Sequence, residues 1–226
     1  MTFKKMISKS YNLCIKDIKS ELRTRYAINA LVMFILVAIS VILFSIGNEK
    51  IQPELTAGLY WVVIFFSAMS GLSRAFVSEE EKGTTLTLQL IAKPDTIFSG
   101  KLFFNLILTF FINIIITLLY AAFFEGFVVN NFILFLVTFI FGNIGLAISS
   151  TIIASIIAKA GSKGTLYPVL SFPILLPLIL TCVQLTIFCF DGTSFDNALY
   201  EMAIVVSYDI IMVTISYLLF DFIWKE

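Results

Sequence analysis

The chain contains no histidine, so no imidazole is present to act as a general base, to ligate zinc or to hold haem iron axially. Charge is scarce as well. Only 13% of the 226 residues are Asp, Glu, Lys or Arg, about half the share usual in a soluble domain. The 15 basic and 15 acidic residues cancel, which excludes the strongly basic surface of a nucleic-acid binder. The three cysteines, Cys14, Cys182 and Cys189, make neither a disulfide framework nor a Cys-x-x-Cys metal site. Apolar side chains, by contrast, are abundant: 59% of the residues are hydrophobic and the mean hydropathy is +1.00. A soluble fold of this size could not hide so much apolar surface, so the composition points to an integral membrane protein.

About 20 apolar residues cross the hydrocarbon core of a bilayer. The charge-free runs predict six spans, at about 27–47, 55–74, 102–124, 132–158, 166–189 and 199–221. The charge-free run from 126 to 158 is too long for one helix, and Val128-Val129-Asn130-Asn131 reads as a loop, so the fourth span is set to begin near Phe132. The last span is broken by Glu201 near its start and Asp209 in its middle. The predicted fold class is therefore an all-α integral membrane protein with a single transmembrane domain over residues 1–226. No soluble domain, internal repeat or low-complexity linker is visible.

Lysine and arginine set the orientation, because they accumulate on the cytoplasmic side. Fourteen of the 15 fall in the N-terminal segment, in the segments between spans two and three and between four and five, and at Lys225. Only Lys50 falls on the other side, among Glu49, Glu54, Glu125, Asp191 and Asp196. Both ends are expected in the cytoplasm, which an even number of spans also requires. The basic N-terminal segment is too long for a signal peptide. Its apolar residues Met6, Leu13, Ile18 and Leu22 roughly share a helical face, which predicts an amphipathic helix along the cytoplasmic membrane surface; the alternative is a solvated positive segment.

No phosphate-binding loop is present. Gly100-Lys101 is followed by Leu102, and Asp95 stands where the first glycine belongs. An ATPase site must therefore come from another chain, and this chain is expected to be no enzyme, to bind no cofactor and to ligate no metal. The most informative segment joins spans two and three. An acidic cluster, Glu79, Glu80 and Glu81, ends at Gly83, where a tight turn needs glycine. Thr84 or Thr85 can cap a short helix that Pro94 stops, and Asp95 can cap the next short helix leading into span three. The alternation Leu86, Leu88, Leu90 also suits a strand, but a lone strand would leave its edge unpaired, which favours the helix.

The pattern Glu80-x-x-Gly83-Thr84-x-x-x-Leu88-x-Leu90, then Pro94, then Gly100-Lys101, resembles the same segment of ABC-2-type transporter permeases. Within them the chain most resembles the CcmB family, the permease-like membrane subunits of cytochrome c maturation. Three more stretches carry the likeness: Glu21 to Ala27, Gly142 to Gly161, and Leu166 to Leu178 with Pro168, Pro173 and Pro177. The resemblance covers nearly the whole chain. It implies a place in the bacterial inner membrane and a separate ATPase subunit, CcmA. It also implies CcmC, CcmD and the haem chaperone CcmE as partners, two copies per complex, and haem and ATP handled by the partners. The implied role is to couple ATP hydrolysis to release of the haem-loaded chaperone; the family is also described as a haem exporter. An ABC-2 permease for a lipid, drug or glycan is the alternative. A membrane enzyme or secondary carrier is disfavoured by the missing histidine and the missing inverted repeat.

Candidate sites follow. Glu79, Glu80, Glu81, Gly83 and Thr84 are expected to dock the ATPase, against the alternative of a solvated acidic turn. Pro168, Pro173 and Pro177 can form a hinge or a static kink. Asp209, near the bilayer midplane, must face protein or water, with Gln184 or Asn113 as candidate partners. Small residues along span four, Gly142, Gly145, Ser149, Ser150, Ala154 and Ala158, allow close helix packing.

Overall fold

A computed structural model of the chain describes residues 3–47, 51–72, 76, 79, 83, 84, 87, 88, 90, 92–159 and 166–225. Among these residues there is no strand. The helices are α1 (Phe3–Thr24), α2 (Tyr26–Ile46), α3 (Pro53–Leu72), α4 (Pro94–Phe123), α5 (Phe132–Lys159), α6 (Leu166–Asp191) and α7 (Leu199–Lys225), the last preceded by a 3-10 turn at Phe195–Ala198. Six of them are long and apolar enough to cross a membrane, so the expected all-α fold with six spans is what the chain adopts.

Chain turns are made where local chemistry permits. Arg25 carries a φ of 53°, and this single left-handed residue separates α1 from α2. The segment before α5 is a loop, as its Asn pair suggests, and α5 starts at Phe132. The backbone amides of Asn130 and Asn131 both bond the carbonyl of Cys189, at 3.1 and 3.0 Å. The side chain of Asn131 caps the helix by accepting from the amide of Leu134 at 3.1 Å.

Span three differs from its expected shape. Pro94 does not stop one helix while Asp95 caps another; Pro94 is the first residue of a 30-residue helix, with Asp95 in its first turn. A proline at this position loses nothing, because its missing N–H would be unpaired anyway and its φ suits the helix. The segment upstream does turn helically: Leu88 N–H bonds Thr84 C=O and Ala92 N–H bonds Leu88 C=O, each at 3.1 Å.

Helix α3 is the more enclosed of the two N-terminal spans, with Tyr60, Trp61 and Ile64 fully buried. Trp61 Nε1 donates to Thr186 of α6 at 2.8 Å, and Tyr60 shares a 2.8 Å bond with Thr117 of α4. Helix α2 is peripheral and buries one stripe, Leu31, Ile35 and Ile39, while Met33, Val37, Val41 and Phe44 are exposed, as suits a helix face turned to lipid. Helix α5 packs closely because of its small residues. A Cβ on Gly142 would lie 2.5 Å from the Trp61 ring, and one on Gly145 would lie 2.5 Å from Asp209. Aromatic clusters close both ends of the bundle. Tyr60, Tyr120, Phe124, Phe127 and Phe135 lie at one end, and Phe76, Phe98, Tyr217, Phe220 and Trp224 at the other.

Helix α6 runs unbroken from Leu166 to Asp191, with Pro173 and Pro177 inside it. Pro168 sits in its first turn, where a missing amide donor costs least. In the turn between Pro173 and Pro177, the carbonyl of Ile174 accepts the hydroxyl of Tyr208 from α7 at 3.0 Å. A neighbouring helix thus serves the backbone beside the prolines.

Candidate functional site

The densest set of charges in the described chain lies where α1, the segment between α3 and α4, and the second turn of α4 meet. Helix α1 comes there because it packs on the start of α4. Ser10 donates to the carbonyl of Thr96 at 3.0 Å, and a Cβ on Gly100 would lie 2.9 Å from Leu13 and 3.0 Å from the carbonyl of Ser10. The face that docks is Ser10, Leu13, Cys14 and Asp17. Leu13 belongs also to the apolar face expected to lie along the membrane surface, and Leu22 of that face stays exposed. The physical reason is that this docking is polar and close, and it selects small and charged residues.

Four charged side chains then interlock. Lys101 of α4 is only 5% exposed. Its ammonium lies 2.9 Å from Asp17 of α1 and 3.0 Å from Glu79. Lys16 of α1 reaches the same Glu79 oxygen at 2.6 Å and Asp17 at 3.3 Å. Thr84 bonds Glu79 three times, through its hydroxyl to the carboxylate and to the carbonyl at 3.2 Å, and through its amide to the carbonyl at 3.0 Å. The Lys101 ammonium also stands 5.8 Å over the ring of Phe76. Two cations and two anions balance, as a buried set must.

The electrostatics follow from that balance. Burial alone would push the Glu79 carboxyl up, but Lys101 beside it, with hydrogen bonds from Lys16, Thr84 and Lys101, holds it down at about 2. Burial works against charged Lys16, yet Glu79 and Asp17 outweigh it and its pKa is raised. The Cys14 thiol is raised by burial and then by Asp17.

These contacts change the reading of the segment. Glu79 points inward and its carboxylate is taken by Lys16, Lys101 and Thr84, so a basic groove could reach it only by breaking them. Thr84 does not cap the following turn with its hydroxyl; it reaches back to Glu79. Gly83 holds a φ of +64°, the tight turn anticipated for it. Glu80 and Glu81 lie outside the described residues. Lys16, Asp17 and Lys101 were missed by sequence reasoning because charges near a span edge read as interfacial. One signal was available. Lys101, Asn105, Thr109, Asn113 and Thr117 recur every fourth residue, a polar stripe down one face of α4.

All but the last of that stripe are buried. Asn105 donates to Thr151 of α5 at 2.8 Å, Asn113 donates to Asn143 of α5 at 2.6 Å, and Thr117 meets Tyr60 of α3. Asn113 is therefore no partner of Asp209, and Gln184 lies on an exposed face of α6. Asp209 is 5% exposed, its carboxylate faces Gly145, and neither oxygen has a hydrogen-bond partner in the described chain. Cys182 and Cys189 are fully buried within the bundle.

Comparison with curated proteins gives no match. A protein-family profile described as CcmB protein matches residues 8–220. That match starts inside α1, takes in the charged knot and the polar stripe, and ends in the last turns of α7. With six apolar helices joined in this order, the chain belongs to the CcmB family of multi-pass membrane proteins, the haem-exporter permease subunits of ABC complexes in cytochrome c maturation.

Proposed function

We propose that this chain couples ATP hydrolysis by a separate ATPase subunit to release of the haem-loaded chaperone, in the bacterial inner membrane with both of its ends in the cytoplasm. The observation that carries the reading is the knot on Glu79. It gives the segment between α3 and α4 a fixed seat on α1 and α4, as a part that receives force from a soluble motor needs. The partners are CcmA as the ATPase, CcmC, CcmD and the chaperone CcmE, with two copies of this chain in the complex. Glu80, Glu81, Gly83 and Thr84 form the docking surface, with Glu79 holding it from within. Haem and ATP stay on the partners. Pro173 and Pro177, with Pro168 at the start of α6, act as the hinge of that helix.

The test reverses Glu80 and Glu81 to lysine. Repulsion then replaces attraction at the docking surface. The expected result is an inserted chain that no longer retains the ATPase and no longer supports cytochrome c assembly. Retention and cytochrome c yield both at the wild-type level would refute the docking role.

A further inference from the structure

Resting on the coupling role proposed above, we infer that Lys101 is the positioning residue that fastens α1 and the segment before α4 to α4 itself, so that the three move as one body. The geometry of the chain makes such a fastening necessary. The segment joins α4 through Lys93, whose backbone is extended (φ −71°, ψ 153°), just before Pro94. An extended residue followed by a proline interrupts the helical hydrogen-bond ladder, so no continuous helix joins the segment to α4. Lys101 closes a brace across that break. Its ammonium holds Glu79, 22 residues back along the chain, at 3.0 Å, and Asp17 of α1 at 2.9 Å. Phe76, beneath the same ammonium, packs on Phe220 and Trp224 of α7, so the brace also meets the last span.

Two features suit Lys101 to this role. It is almost fully buried, where ion pairs are screened little by salt. It also heads the polar stripe of α4, whose Asn105 and Asn113 are keyed to Thr151 and Asn143 of α5. Movement passed to α4 at Lys101 therefore reaches α5 through directional bonds rather than through sliding apolar contacts. Single removal of Lys101 would leave two buried carboxylates with one cation, which confounds coupling with folding. Joint removal of Lys101 and Asp17 leaves the closest pair, Lys16 with Glu79, intact and the charge balanced.

The experiment uses the whole complex in proteoliposomes and counts haem-loaded chaperone released per ATP hydrolysed. For Lys101→Met/Asp17→Asn we expect assembled complex but a release ratio lower by at least tenfold, with Lys101→Arg restoring it to within about twofold of the wild type. Assembled Lys101→Met/Asp17→Asn with the wild-type ratio would overturn the inference. So would failure of both Lys101→Met/Asp17→Asn and Lys101→Gln to assemble, since Lys101 would then serve folding alone. A wild-type complex that hydrolyses ATP without releasing chaperone would instead sink the coupling role itself, and with it the premise of the brace.

Discussion

Gly145 of α5 faces Asp209 of α7 so closely that a methyl group at position 145 would stand 2.5 Å from the Asp209 Oδ1, and 2.7 Å from Leu178 of α6. Three helices meet at this point because one of them has no side chain there. Gly145→Ala is expected to force both neighbours off their rotamers and to destabilise the bundle by about 1–3 kcal/mol, the usual range for overpacking. Gly145→Ala/Asp209→Ala should recover part of that loss. Thermal unfolding of the detergent-solubilised protein measures both; a Gly145→Ala variant as stable as the wild type would show that the three helices separate freely.

Asp209 itself yields a second prediction. An acidic side chain near the middle of a span costs about 2.5–3.5 kcal/mol on insertion scales, and no hydrogen bond within the described chain offsets that. Asp209→Leu is therefore expected to insert and assemble at least as well as the wild type, and to mature cytochrome c normally. An assembled complex that has lost maturation would instead place Asp209 among the functional residues.

The protonation of Glu79 gives a third. Its pKa in the folded chain, about 2, lies below the ordinary carboxyl value of 4.5. The stabilisation it confers is thus fully present above 4.5 and is lost only as pH falls through about 2. Infrared titration of the carboxylate band should show a component, absent in Glu79→Gln, that stays ionised at pH 4. Lys101→Met should move that component upward, since it removes the strongest attraction and leaves burial to act alone. A Glu79 component titrating at the ordinary value would mean that the knot does not form.

Gly83 isolates a backbone effect. A Cβ there would touch nothing within 4 Å, yet the φ of +64° is one that side chains rarely adopt. Gly83→Ala should cost about 1–2 kcal/mol from backbone strain alone, and Gly83→Asn less, because asparagine visits this region more readily. Comparing trypsin cleavage between α3 and α4 in the two variants checks the order.

How far the chain could be read in advance depended on which forces the residues report. Composition and run length report transfer into lipid, so the six spans and the start of α5 at Phe132 were visible. Gly83 was visible in part, since a glycine there fits a tight turn or a flexible loop, and its φ of +64° selects the turn. Lys101 was not, because a lysine beside a span reads as an interfacial anchor until Asp17 and Glu79, remote in sequence, are brought to it. The docking face of α1 was hidden for the same reason. Apolar spacing reports a lipid-facing or core-facing stripe, whereas Ser10, Cys14 and Asp17 answer to Thr96, Gly100 and Lys101. Pro94 carries two opposite meanings, helix stop and helix start, and only the packing of Ile97 and Phe98 beyond it selects the second.

Orientation in the membrane is open to direct measurement. Fourteen of the 15 basic residues fall on one side of the predicted spans by sequence count, and lysine and arginine near span ends are expected to hold that side in the cytoplasm. Two exposed positions report on the two ends: Asn12, on the outer side of α1, and Ser194, between α6 and the 3-10 turn. They are better probes than an insertion after Asn130, whose backbone and side chain are tied to Cys189 and Phe190. The native cysteines are all buried and should react slowly. In intact cells a membrane-impermeant thiol reagent is expected to label Ser194→Cys and to leave Asn12→Cys unmodified, with the order reversed in inside-out vesicles. Labelling of Asn12→Cys from outside would invert the whole arrangement and would place the Glu79 knot away from any cytoplasmic ATPase.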